Sequence, residues 1–200
     1  MNRPFKSLLA LLTAAVLPVF TPAAGAADKY VGRCDVEFAG DSTLDAFAGD
    51  ITNVPLTVIC TSNRADGALL NTRIEIGARQ LTTHNTRRDA NMYKMFQSDQ
   101  FPTLFVDVTN ASLAAAQLVP GQQAEPGTLP LRVTICGVTN EVRAVTLNPQ
   151  PVTNGWGFEL ETELSLKDFK LKPPTLLFGA ITVHDIVKVK ARVRVQKENS

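Results

Sequence analysis

Few side chains in this sequence combine the type and the spacing that catalysis needs. His84 and His184 are the only two histidines. With Asp89 or Asp185 they could offer a metal ion two imidazoles and a carboxylate, but no ligand-type spacing ties them together. Cys136 with a distant His would make a thiol nucleophile; a strand-end Cys in apolar surroundings is more often structural. Glu159, Glu161 and Glu163 alternate with Phe158, Leu160, Thr162 and Leu164, so all three carboxylates share one solvent-facing side. That is the wrong place for a facing acid–base pair. No Gly-x-Ser-x-Gly elbow is present. The expected chemistry is binding without catalysis, and neither a metal nor another cofactor is called for.

Binding has better material. The run Arg87-Arg88-Asp89-Ala90-Asn91-Met92-Tyr93-Lys94-Met95-Phe96 reads as a short amphipathic helix over 86–98, with Met92, Met95 and Phe96 on one face. Asn85 or Thr86 can cap it. Almost everything else alternates with period two. Val187, Val189, Ala191, Val193 and Val195 face one way, and Lys188, Lys190, Arg192 and Arg194 the other. Paired as antiparallel neighbours, this strand and the one over 157–166 would carry a ladder of opposite charges, each pair worth roughly 0.2–1 kcal/mol. Breaks are expected at Asn53-Val54-Pro55, at Gly137 to Asn140, and at Asn148 to Pro151. Residues 111–123 read as a short helix or loop. About eight strands with Gly, Pro and Asn punctuation specify a barrel or sandwich. Its inward candidates are Phe38, Phe47, Phe105, Ile135, Phe158, Leu160, Leu164, Phe169 and Phe178. Composition alone leaves open whether they line a tunnel or pack as core.

Residues 1–26 have the form of a signal peptide: Arg3 and Lys6, an apolar stretch from Leu8 to Phe20, then Ala24-Gly25-Ala26. The apolar stretch is shorter than the roughly 20 residues that span a bilayer. The expected product is an exported, periplasmic chain of residues 27–200 forming one domain, without stable membrane insertion. Formal charge is +1 overall and loses the two leader basic residues on cleavage. Near-neutral balance gives no electrostatic footprint for nucleic acid. Cys34, Cys60 and Cys136 allow one disulfide in an oxidising compartment. Cys34–Cys60 is the expected pair; buried free thiols are the alternative.

In their order along the chain, five pieces resemble the YceI-like family. They are Ser42-Thr43-Leu44-Asp45-Ala46-Phe47-Ala48-Gly49, the helix from Arg88-Asp89 to Met95-Phe96, Phe101-Pro102-Thr103, Gly137-Val138-Thr139, and Asp168-Phe169. The resemblance spans nearly all of residues 27–200. It implies an all-β, antiparallel, lipocalin-like barrel of about eight strands with one short helix at one end. It also implies an apolar tunnel that sequesters or carries a polyisoprenoid or other long-chain lipid, as a monomer or homodimer. Phe47, Phe105, Ile135, Phe158, Leu160, Phe169 and Phe178 would line the tunnel. Arg87, Arg88, Asp89 and Asn91 would form its mouth, with Met92, Met95 and Phe96 against the lipid. On the alternative reading, Arg88 and Asp89 cap the helix, the Met/Phe stripe is plain core, and the filled barrel is an envelope interaction or stress-response protein. The chain departs from the family where relatives place His: here stand Asp45-Ala46, and Asn91.

Overall fold

The computed structural model describes residues 27–63, 67–118, 126–176 and 181–198. The elements are β1 (Ala27–Ser42), β2 (Ala46–Asn63), β3 (Gly67–Gly77), α1 (Thr86–Met95), β4 (Thr103–Ser112), β5 (Gly127–Ile135), β6 (Val138–Val152), β7 (Gly155–Ser165), β8 (Thr175–Leu176) and β9 (Ile181–Lys197). Neighbours in sequence pair antiparallel from β1 to β7, β7 pairs with β9, and β9 returns to β1. The eight long strands therefore close into a barrel, leaving only the two-residue β8 as an appendage on β9. Closure removes the sheet edges that would otherwise invite other chains. Among the described residues no helix is long and apolar enough to cross a membrane.

The charge ladder sits in the expected register. Glu159 faces Arg192, Glu161 faces Lys190 and Glu163 faces Lys188. Lys190 Nζ lies 2.9 Å from Glu159 Oε2 and 3.2 Å from Glu161 Oε1. On the other flank of β9, Arg192 Nη2 donates to Glu37 of β1 at 2.6 Å. A slip of one residue would turn Val187, Val189 and Ala191 outward, so alternation and charge select the same register.

Two expected breaks in strands are bulges instead. At β1–β2 the register shifts between Cys34 and Val36, with Asp35 facing the extra residue Asn53 (φ 59°). Asp35 Oδ1 accepts the Asn53 amide at 2.8 Å. The same device recurs at Asn148 (φ 51°) in β6, and at Asn110 (φ 50°) in β4, where Asn71 Oδ1 takes the displaced amide. Asn tolerates the left-handed conformation, and each bulge bends its strand, as a closed sheet requires. The turn expected at Gly137 to Asn140 lies at Cys136-Gly137 (φ 50° and 74°), the paired positive angles of a tight type I′ hairpin.

The disulfide expectation fails on geometry. Cys34 pairs with Val54, whereas Cys60 pairs with Asp28, six residues earlier in β1. That separation is about 20 Å, against a Cα limit of roughly 7 Å for a disulfide. Both cysteines are buried free thiols, and Cys136 is a half-buried one. Burial pushes the Cys34 thiol up to about 12 and Cys60 to about 11, and raises Cys136 too. None is poised as a thiolate.

Candidate ligand site

The barrel encloses a cavity of about 480 Å³ that opens beside α1, within the roughly 300–1,000 Å³ of small-molecule sites. Its walls are inward positions of the strands: Val36 and Phe38 on β1, Ile74 and Ile76 on β3, Leu104 and Val106 on β4, and Leu160 and Leu164 on β7. Val187, Val189, Ala191 and Val193 complete the wall from β9. Polar lining is concentrated at the mouth, in Ser42, Asp45, Thr83, Asn85, Arg87, Arg88 and Asn91. Thr162 is the one polar residue deep in the barrel, and its hydroxyl donates to the Arg143 carbonyl at 3.1 Å. Among the described residues the rest of the deep lining is apolar apart from the Cys34 thiol.

α1 is fixed over the mouth by a small set of bonds. Asn85 caps it, its Oδ1 accepting the amides of Arg87 and Arg88 at 3.1 Å each. Asp50 and Thr82 exchange two backbone hydrogen bonds, of 2.8 and 3.0 Å, which tie the segment before the helix to β2. Asp89 Oδ1 accepts from the Thr83 amide and hydroxyl at 2.7 and 2.6 Å, and Oδ2 from the Thr82 hydroxyl at 2.9 Å. Desolvation works to raise the Asp89 pKa, but these bonds outweigh it and hold the carboxyl below its ordinary range. Tyr93 donates to the Leu81 carbonyl at 2.8 Å, and the Cys136 thiol to the Phe96 carbonyl. So held, α1 turns Met92 and Met95 into the cavity and sets the Arg88 guanidinium 5.9 Å from the centre of the Phe47 ring. Neither Arg87 nor Arg88 makes an ion pair among the described residues, which leaves their charge available to the mouth.

Nine of the residues expected at the site border the cavity: Phe47, Arg88, Asn91, Met92, Met95, Phe96, Ile135, Leu160 and Phe169. Arg87, expected at the mouth, does too. Phe169 is only 1 % exposed. It is held by the turn after β7, where Asp185 accepts the Lys167 amide and Asn140 donates to the Asp168 carbonyl. Three expectations are corrected. Asp89 does not line the cavity and anchors the helix through Thr82 and Thr83. Phe105 lies on the outer face, because its neighbours Leu104 and Val106 point inward; Arg73 stacks on its ring at 5.2 Å. Phe158 is buried but sits one pleat beyond Leu160, under the cavity rather than beside it. Phe178 lies outside the described residues. The lining stops short of Phe158, Leu129 and Val195, so the cavity does not run the full length of the barrel. Lining residues that sequence reading passed over, such as Ile74 and Val106, carry a signal all the same: each has the parity of its strand's other inward residues.

Among the described residues no group of three or more His, Cys, Asp or Glu could hold a metal ion. His84 Nε2 instead lies 2.7 Å from Asp50 Oδ2 on the outside of the barrel.

The fold is shared with solved structures at low sequence identity. BcnA of Burkholderia cenocepacia aligns with a TM-score of 0.59 at 10 % identity, over 80 % of this chain and 94 % of BcnA. A polyisoprenoid binding domain from Saccharophagus degradans, implicated in plant cell wall breakdown, aligns with a TM-score of 0.57 at 12 % identity, over 86 % of this chain and all of that one. No curated protein matches the chain. The model of the YceI-like domain matches residues 31–195, which takes in all eight barrel strands and α1, and the chain belongs to that family.

Proposed function

We propose that this barrel binds one long-chain apolar lipid tail-first, of isoprenoid or fatty type, and sequesters or carries it without chemical change. One observation carries the reading: the interior is an apolar void whose polar lining is gathered beside α1. A filled structural barrel would leave no such void. Burying each CH₂ contributes about 0.8 kcal/mol, so about twenty buried carbons, about 16 kcal/mol in all, can outweigh an association cost of roughly 4–15 kcal/mol. Arg87, Arg88 and Asn91 would then meet the polar end of the lipid, and Met92 and Met95, adaptable in shape, its first carbons. The polyisoprenoid binding described for the Saccharophagus relative supports the ligand class. The leader-like residues 1–26 support export, which would place the carrier between membranes.

Native mass spectrometry of the protein purified from its own compartment, with organic extraction of bound material, tests this. Near one lipid per chain is expected. A bare mass from a protein that also refuses added prenyl and fatty alcohols would overturn the proposal.

A further inference from the structure

The lining of the cavity stops short of the far end on three walls. On β9 it runs from Val183 at the mouth to Val193, and the next inward residue, Val195, is packed and 1 % exposed. On β7 it reaches Leu160 but not Phe158; on β5 it reaches Leu131 but not Leu129. Phe158, Leu129 and Val195 all belong to the buried core. Behind them Trp156 meets Tyr30 edge-on, with ring centroids 4.3 Å apart. The turn after β4 packs against the strands at that end. There the Thr146 hydroxyl bonds the Ala116 carbonyl, and Gly127 lies so close to Ala116 that a Cβ would collide with its backbone at 2.4 Å. A chain entering at α1 therefore meets a wall.

We infer that this floor, formed by Phe158, Leu129 and Val195, makes the barrel a length gauge that accepts a chain of about twenty main-chain carbons. The inference rests on the lipid reading above and adds an upper limit to it. Ten residues of β9 separate the first and last lining positions, about 33 Å of strand. At the roughly 40° tilt of a closed barrel the depth is about 25 Å. Carbon–carbon bonds of 1.52 Å at about 111° advance about 1.25 Å per carbon, which gives the twenty. At four main-chain carbons per unit, the same depth holds about five isoprene units. Up to the limit each added carbon is buried, for a gain of up to about fourfold in affinity. Beyond it the extra carbons stay in water at the mouth and add nothing.

Ala191 offers the control. It faces the cavity opposite Leu160, one pleat above Val193. Ala191→Phe would put its ring into existing void, so the fold can accept it, and would raise the floor by about 5 Å, or about four carbons.

Lipid-stripped full-length protein and its Ala191→Phe variant would be titrated calorimetrically with straight-chain primary alcohols of increasing length. Affinity for the native protein should climb to a plateau near twenty carbons, and the variant's plateau should come about four carbons earlier. Affinity still climbing well past twenty-four carbons, or a variant that weakens all lengths alike, overturns the gauge and leaves the lipid reading standing. Failure of every alcohol and of a prenyl alcohol to bind overturns the lipid reading, and the gauge with it.

Discussion

At the scale of single residues, the side chains that looked most chemical turn out to hold the mouth in place. Asp89 receives three hydrogen bonds from Thr82 and Thr83. Bonds to a charged acceptor are worth about 1.5–3 kcal/mol, so Asp89→Ala should lower stability by about that amount, read from the urea midpoint. It should also speed lipid release, because α1 loosens. The pH dependence has a definite sign. Asp89, Glu159 and Asp107 are held below their ordinary values, Glu159 chiefly by the bond from Lys190 and Asp107 by that from Arg73. A carboxylate with a depressed folded-state pKa stabilises fully above its unfolded value, about 3.9–4.3. That stability is lost as pH falls through the folded value. The urea midpoint should therefore be flat between pH 7 and 5 and fall below about pH 4. Parity decides the neighbouring pair Phe105 and Val106. Phe105→Ser should leave lipid binding unchanged, whereas Val106→Asn sets an unpaired amide against the chain. The latter costs about 1–3 kcal/mol, roughly five- to 150-fold in Kd. Phe105 drew attention by size; only the inward parity of Leu104 and Val106 identifies the true wall.

At the scale of elements, β9 is the strand that closes the barrel, and its charges reach both neighbours. Lys190 bridges two glutamates of β7 while Arg192 reaches Glu37 of β1. Lys190→Glu would gather three carboxylates on that face. A lower urea midpoint is expected, because like charges facing one another across strands destabilise. The loss should shrink at 1 M salt as screening shortens to about 3 Å. Urea midpoints at low and high salt would check both parts. This ladder was legible because period-two alternation and charge sign are local properties of each strand. The bulges were not. Asn53 and Asn148 read as strand breakers, since a left-handed residue looks alike in a turn and in a bulge until the partner strand supplies the register. Cys34 and Cys60 failed for the same reason: the extra residue at Asn53 shifts the pairing, but cannot bring together positions six residues out of step.

At the scale of the whole molecule, the void is a stability deficit that a ligand can remove. Saturation at a hundredfold excess over Kd adds about 2.7 kcal/mol. For a domain of this size that raises Tm by about 5–11 °C. Calorimetry of stripped and reloaded protein should show that rise, and a filled barrel would show none.

The sequence by itself determined the all-β character, the inward and outward faces of β7 and β9, the helix with its Met/Phe face, and the poverty of reactive groups. All of these follow from spacing within a few residues. Only the tertiary structure decided that β9 returns to β1, that Phe158 lies under the cavity and Phe105 outside it, and that the apolar interior surrounds a void. Those depend on where residues distant in the chain meet. Whether a set of inward apolar side chains fills a barrel or surrounds a space is fixed by the circumference the closed strands impose, and no single strand carries that length.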